Sequence, residues 1–252
     1  MEVNKKIALC FLTYDNLSQP ELWSKIINSN KDKLNIYIHN KNEFIDEQYQ
    51  LHQYCINNKI PTKWGKISLV QASLLLFKEA FNNTDNYFFI LLSDKCIPLY
   101  NFQYIYDKII EGNNNIISCY KISFHKMHVF RYNTFADKSF ISSEDFVKQN
   151  QWCILNRDTI QFFLENNFIN KFGHKFDVPD EHYFINIIKK FNIDFINKKI
   201  THNDWSGNGL SPKTYNTLSN NQVINIQKNQ DYLFMRKISN KCKLPSYYDT
   251  II

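Results

Sequence analysis

Short apolar runs alternating with amphipathic stretches through the first half of the chain set the limits on what it folds into. Ile7 to Thr13 (IALCFLT), Leu34 to His39 (LNIYIH) and Tyr87 to Leu92 (YFFILL) are four-to-eight-residue apolar runs of the kind that form buried strands. Between them, ELWSKII after Pro20 reads as a helix. The stretch Ile67 to Phe81 reads as a stronger one, with Leu69, Ala72, Leu76 and Ala80 close to one face and Ser68 as its cap. A helix around Tyr104 to Ile110 and a fourth strand over Ile116 to Tyr120 continue the pattern. Strands alternating with helices of this length predict βαβ units and a largely parallel, Rossmann-like sheet flanked by helices. In such sheets ligands bind beyond the carboxyl ends of the strands. That rule puts Thr13 to Asn16, His39 to Lys41 and Ser93 to Ile97 on the expected binding edge.

From Lys121 to Lys148 the periodicity dissolves into mixed polar and aromatic residues, read as a long excursion over the sheet. Order returns with QWCILN, a helix from Asp158 to Asn166 and another starting near Pro179. After Thr201 the chain is rich in turns. No repeat and no Pro- or Ser-rich linker divides it, so residues 1–252 read as one domain. A chain of this length buries roughly three quarters of its unfolded surface without disulfide staples. Aromatic residues make up 16% of it, which argues against disorder. The net charge of +6 is spread among interleaved acids, with no run of five or six like charges, so a nucleic-acid partner is not expected. Such an excess suits a diphosphate-bearing small molecule equally well. The six cysteines are scattered without a CxxC pair, which fits free thiols in a reducing compartment. MEVNKKIALCFLTYD holds no apolar run long enough to span a membrane.

Three segments carry candidate chemistry. In VPDEHYFINIIKK (Val178 to Lys190) Pro179 opens a helix with two acids in its first turn. Asp180 and Glu181 there either complement the helix dipole or supply a general base. In NDWSGNGLSPKTY (Asn203 to Tyr215) two of the chain's five glycines, Gly207 and Gly209, imply a tight turn. Trp205 offers a flat apolar face there, and Lys213 is either a solvated lysine or an anion contact. In LFMRKI (Leu233 to Ile238) Arg236 and Lys237 sit between apolar neighbours, as an amphipathic rim or as a phosphate clamp. No Asp-x-Asp pair of the kind that bridges a metal to a diphosphate occurs. The HxxH of His125 and His128 has no carboxylate nearby, and P-loop, GxGxxG and nucleophile-elbow motifs are missing.

Together these segments resemble the core 2/I-branching β-1,6-N-acetylglucosaminyltransferase family (glycosyltransferase family 14-like), and its plant-type branch most. The matching pieces, in the family's order, are IALCFLTYDN, IYIHNK, WGKISLVQASLLL, FILLSDKCIPLYNF, NQWCILNRDT, PDEHYF, NDWSGNGLSPKTY and LFMRKI. The resemblance implies a GT-A fold and an inverting transfer without metal or other cofactor, from a UDP-sugar to a glycan or glycoprotein hydroxyl. It makes residues 1–120 the nucleotide-sugar-binding half and residues 121–252 the acceptor and catalytic half, with Glu181 the catalytic base and Lys213, Arg236 and Lys237 the donor-diphosphate contacts. Leu12, Thr13 and Asn40 would lie by the nucleotide, and Gln151, Trp152 and Trp205 would line the acceptor pocket. N-acetylglucosamine is the expected sugar, with xylose and glucuronate as alternatives. The chain departs from the pattern at Gln149-Asn150, where the family often has Gly-Ser, and at Asn40, where animal members carry an aspartate. The family's usual membrane anchor is not seen. The expectation is therefore a cytoplasmic protein of a microbe or of a virus in its host's cytoplasm, or a Golgi protein if an anchor precedes this sequence. A glycan-binding module without turnover is the competing reading.

Overall fold

A computed structural model of the chain describes residues 5–121, 126–207, 211–229 and 231–251. Gly209 and His125 lie outside them. In chain order the first elements are β1 (Lys6–Thr13), α1 (Pro20–Ser29), β2 (Leu34–Asn40), α2 (Ser68–Phe81), β3 (Asn86–Ser93), β4 (Ile97–Pro98) and α3 (Phe102–Gly112). Next come β5 (Tyr120–Lys121), α4 (Lys126–Thr134), β6 (Val147–Lys148), β7 (Ile154–Asn156), α5 (Arg157–Glu165), α6 (Ile169–Phe172) and α7 (Tyr183–Lys190). The chain ends with β8 (Thr201–Asn203), β9 (Tyr215–Thr217), α8 (Asn220–Gln227), β10 (Phe234–Arg236), β11 (Ile238–Lys243) and α9 (Tyr247–Thr250).

The main sheet runs in the order β2-β1-β3-β7. The first three strands are parallel and β7 is antiparallel at the edge. From Ile7 to Phe11 every residue of β1 is fully buried, as a central strand covered on both faces requires, and this is why the run is apolar without alternation. Thr13 pairs with Asn40 and Leu12 with Ser93, so β2, β1 and β3 end nearly flush and open one edge. The arrangement is the mixed but mostly parallel α/β fold that the alternation of elements predicts, and it is GT-A-like, as the resemblance implies.

The helices seal the sheet through the apolar faces read from the sequence. In α1, Trp23 packs edge-to-face on Phe11 with ring centroids 4.9 Å apart, and its Nε1 donates to the Cys96 carbonyl. In α2, Val70, Ala72, Leu76, Phe77 and Ala80 are buried, while Leu69 turns toward a cavity. Ser68 does not cap this helix: its hydroxyl accepts from the Lys63 amide instead, and Ile67 already has helical backbone angles. Asn101 and Asn156 do cap α3 and α5, accepting from the amides of Tyr104 and Thr159.

Two expectations change. Ile116 to Tyr120 is not a continuous strand. Ile116 makes single bridges to Ile154 and Ile196, and the Cys119 amide is taken by the Asn197 side chain, so the ladder stops after one rung. Pro179 to Glu181 is a 3₁₀ turn that precedes α7 rather than the first turn of one helix. Val178 enters it with a positive φ of 54° and His182 breaks it with a φ of −139°.

A second sheet, β4-β10-β8, sets the far end of the chain against the main one. Met235 pairs antiparallel with Ile97, and Arg236 pairs parallel with Asn203. The Lys121 to Lys148 excursion carries α4 and tucks Phe135 and Phe146 into an aromatic cluster with Phe172 and Phe176. One contiguous apolar cluster draws residues from Ile7 to Ile251. Among the described residues no helix is long and apolar enough to cross a membrane.

Candidate active site

A cavity of about 470 Å³ opens where β1, β2 and β3 end. Its sheet wall is Leu12, Thr13, Tyr14, His39, Lys41, Asp94 and Lys95, the edge that the parallel-sheet rule selects. Gln151 and Trp152, just before β7, form another wall. Arg236 and Lys237 at the end of β10 close the floor through the strand pairing described above.

The charge in this cavity is lopsided. Lys41, Lys95, Arg236 and Lys237 face a single carboxylate, Asp94. The Arg236 guanidinium lies 4.7 Å from the centroid of the Trp152 ring, within cation–π reach. Burial pulls its pKa down, against the opposing pull of Cys96 and Asp94. Lys237 is also pulled below the ordinary lysine value, first by desolvation and then by Arg236. Burial pushes Asp94 up, opposed by Lys95, whose Nζ is 3.6 Å away, and by Arg236. Each of these cations is therefore held in surroundings that an arriving anion would improve. Two buried polar atoms in the same wall, Thr13 Oγ1 and Arg236 Nε, have no hydrogen-bond partner. Such orphans are rare in folded proteins, and both belong to residues that line this cavity.

Glu181 is not on the cavity wall. Its Oε2 is clasped by Arg131 Nη1 at 2.8 Å and by Lys148 Nζ at 3.1 Å. No described residue bonds Oε1, and the side chain is 28% exposed. Two ties bring it toward the cavity. The Gln149 amide donates to the Glu181 carbonyl at 2.8 Å, and Gln151, two residues on and so within about 7 Å along the chain, lines the cavity. The Val178 amide donates to the Gly65 carbonyl, next to Trp64 on the cavity rim. Asp180 points inward: it is 7% exposed, its Oδ1 has no partner, and its pKa is raised to about 7, first by burial and then by Glu181. Neither acid therefore serves as a simple complement to the dipole of α7.

Of the other residues named from the sequence, Leu12, Thr13, Gln151, Trp152, Arg236 and Lys237 come together in this cavity. Asn40 does not line it. It is buried, accepts from Lys59 Nζ at 3.1 Å and donates to the Asn42 carbonyl. It lines an adjoining hollow of about 450 Å³ that shares Lys41 and Thr62 with the first. Lys213 stands off the wall with its Nζ 3.9 Å from Asp204 Oδ2, although its carbonyl lies beside the Lys237 amide and Thr214 lines the cavity. Trp205 is 59% exposed and off the wall.

Sequence reasoning reached Lys41, Asp94 and Lys95 only as members of edge segments. It missed Arg131 and Lys148, which lie where no periodicity marks them. Trp64 lies in the WGKISLVQASLLL segment, whose sequence assigns it no role. Among the described residues no three His, Cys, Asp or Glu side chains converge to hold a metal ion. A further hollow of about 490 Å³ between α2 and α5 has mostly apolar walls and a single cation, Lys78.

The chain is 23% identical over 236 residues to Glycosyltransferase BC10 of Oryza sativa subsp. japonica, an alignment covering 80% of this chain and 58% of that protein. The chain thus spans a little over half the length of this relative. A family model described as Core-2/I-Branching enzyme matches residues 7–230. That match takes in the parallel sheet, the strand-end wall of the cavity and the Pro179–Glu181 turn, and ends before Arg236 and Lys237; the chain belongs to the Core-2/I-Branching enzyme family.

Proposed function

We propose that the protein is a glycosyltransferase that moves a sugar from a nucleoside-diphosphate donor to a carbohydrate hydroxyl in one inverting displacement. The observation that carries this reading is the cavity at the strand ends, with four cations against one carboxylate and two unpartnered polar atoms in its wall. Family membership and the name of the rice relative support the reaction class.

In this reading the donor diphosphate lies against Arg236 and Lys237. Glu181 Oε1 accepts the proton of the acceptor hydroxyl as its oxygen bonds to the anomeric carbon, and the bond from that carbon to the diphosphate breaks. Charge grows on the leaving oxygen, and the two preorganised cations neutralise it, the role a divalent ion takes in other enzymes. One carboxylate suffices because no covalent sugar intermediate forms. Arg131 and Lys148 both hold Oε2, which fixes the carboxylate and turns Oε1 to the acceptor. UDP-N-acetylglucosamine is the donor the family resemblance favours, ahead of UDP-xylose and UDP-glucuronate.

The test is transfer from a panel of UDP-sugars in EDTA, comparing wild type with Glu181→Gln. The expected result is chelator-resistant transfer that falls by about 10²- to 10⁴-fold in the variant. Transfer abolished by chelator, or unchanged in Glu181→Gln, refutes the mechanism. Binding of UDP-sugars without any transfer favours a module that lacks turnover.

A further inference from the structure

Among the described residues the most exposed large apolar side chain stands at the mouth of the cationic cavity. Trp64 is 82% exposed and lines the cavity beside Thr62 and Leu69. A single exposed aromatic ordinarily needs no explanation, but this one differs in how its loop is fastened. Gly65, at a φ of 68°, accepts from the Val178 amide at 2.9 Å through its carbonyl. Lys66 pairs with Asp177, and the Lys63 amide is held by Ser68 Oγ. Val178 itself has a positive φ, a costly conformation for a β-branched residue, and it persists where this junction holds it. The loop that presents the indole is thus bonded directly to the turn that presents Glu181.

We infer that Trp64 is the sugar platform of the acceptor subsite: its indole face takes the apolar C–H face of a pyranose, whose hydroxyl is then directed at Glu181. The inference rests on the reading of Glu181 as the base and adds to it the part of the site that holds the acceptor. The donor end is assigned by charge, since a diphosphate belongs with Arg236 and Lys237. The flat, uncharged surface on the side tied to Glu181 is left for the acceptor. Large aromatic faces with one polar handle suit ligands that are apolar on one face and hydroxylated at the edge. Trp205, given this role from the sequence, lies off the cavity wall.

Two measurements test the assignment. The first is steady-state transfer to methyl β-D-galactopyranoside and methyl N-acetyl-α-D-galactosaminide by wild type, Trp64→Ala and Trp64→Phe. Losing the burial of an indole face predicts a rise of about ten- to fiftyfold in acceptor KM for the alanine variant and a smaller rise for phenylalanine. Donor KM and donor hydrolysis without acceptor stay within about twofold, because the side chain makes no charged contact. An unchanged acceptor KM, or an equal rise in donor KM, overturns the inference.

The second measurement needs no turnover. Trp23 and Trp152 are 1% and 6% exposed, so acrylamide quenching reports on Trp64 and Trp205. The same glycosides should protect wild type and Trp205→Phe from quenching and should not protect Trp64→Ala. Protection that survives in Trp64→Ala and vanishes in Trp205→Phe, or no protection at all, also overturns it. A wild type that is protected through Trp64 but transfers nothing would sink the catalytic reading and leave the platform standing.

Discussion

Asp180 makes the fold's stability depend on pH in a direction opposite to that of most carboxylates. It is 7% exposed, its Oδ1 lacks a partner, and burial with the neighbouring Glu181 charge raises its pKa from 3.8 to about 7. Its own backbone amide, Arg131 and Lys148 pull the other way without cancelling the shift. A folded-state pKa above the unfolded one means that the folded chain binds this proton more tightly. The stability from this group is therefore complete below about pH 4 and is lost as pH rises toward about 7. Between pH 5 and pH 8 the linkage amounts to about 2–3 kcal/mol.

Asp180→Asn keeps the shape and removes the ionisation. The variant's melting temperature, measured against wild type from pH 5 to pH 8, should therefore gain on the wild type by roughly 5–10 °C across that range for a chain of this size. The constant cost of burying an amide shifts both ends equally and drops out of the comparison. A difference in melting temperature that stays flat with pH, or one that moves in the wild type's favour at pH 8, refutes the reasoning.

The cation clusters and one helix cap yield further expectations. Lys237→Ala should lower kcat by about 10²-fold, as loss of one preorganised contact to a developing anion does in other enzymes, and the circular dichroism spectrum should not change. Arg236→Lys should weaken donor affinity, measured calorimetrically with UDP-sugars, because an ammonium cannot replace the delocalised guanidinium that lies over the Trp152 ring. Arg131→Gln should reduce kcat/KM by about ten- to thirtyfold. The full penalty for stranding a buried charge is reduced here because Glu181 is partly exposed and keeps Lys148. Asn156→Ala removes the cap that accepts from the Thr159 amide and should cost about 1 kcal/mol, seen as a fall of roughly 2–4 °C in melting temperature.

What could be read in advance follows from the range over which each interaction acts. The runs at Ile7 and Tyr87 are apolar on both faces because β1 and β3 are covered on both sides, while the run at Leu34 alternates because β2 is the edge strand, so local composition alone announces all three. Their parallel order then fixes which ends carry the site. The segments around Thr13, His39 and Ser93 were accordingly legible as its edge before any side chain was placed. The failures have a different cause. Ile116 to Tyr120 has strand composition, but the Asn197 side chain takes the amide of Cys119, and no local pattern announces a partner so distant in sequence. Pro179-Asp180-Glu181 has the composition of a helix start, and a helix start asks nothing of Asp180 and Glu181 except negative charge. Whether such acids cap a helix or do chemistry depends on what meets them in space. Here Arg131, 50 residues away along the chain, holds Glu181, while Asp180 is buried without a partner for Oδ1. Arg131 comes from a stretch whose mixed polar and aromatic residues gave no periodicity, because its aromatics pack into a cluster rather than along one face of a helix or strand. The same stretch that hides its secondary structure therefore hides the residue that orients Glu181. The two are linked: a segment folded by long-range packing is free to carry a cation to a distant carboxylate, since its path is not dictated by a local repeat.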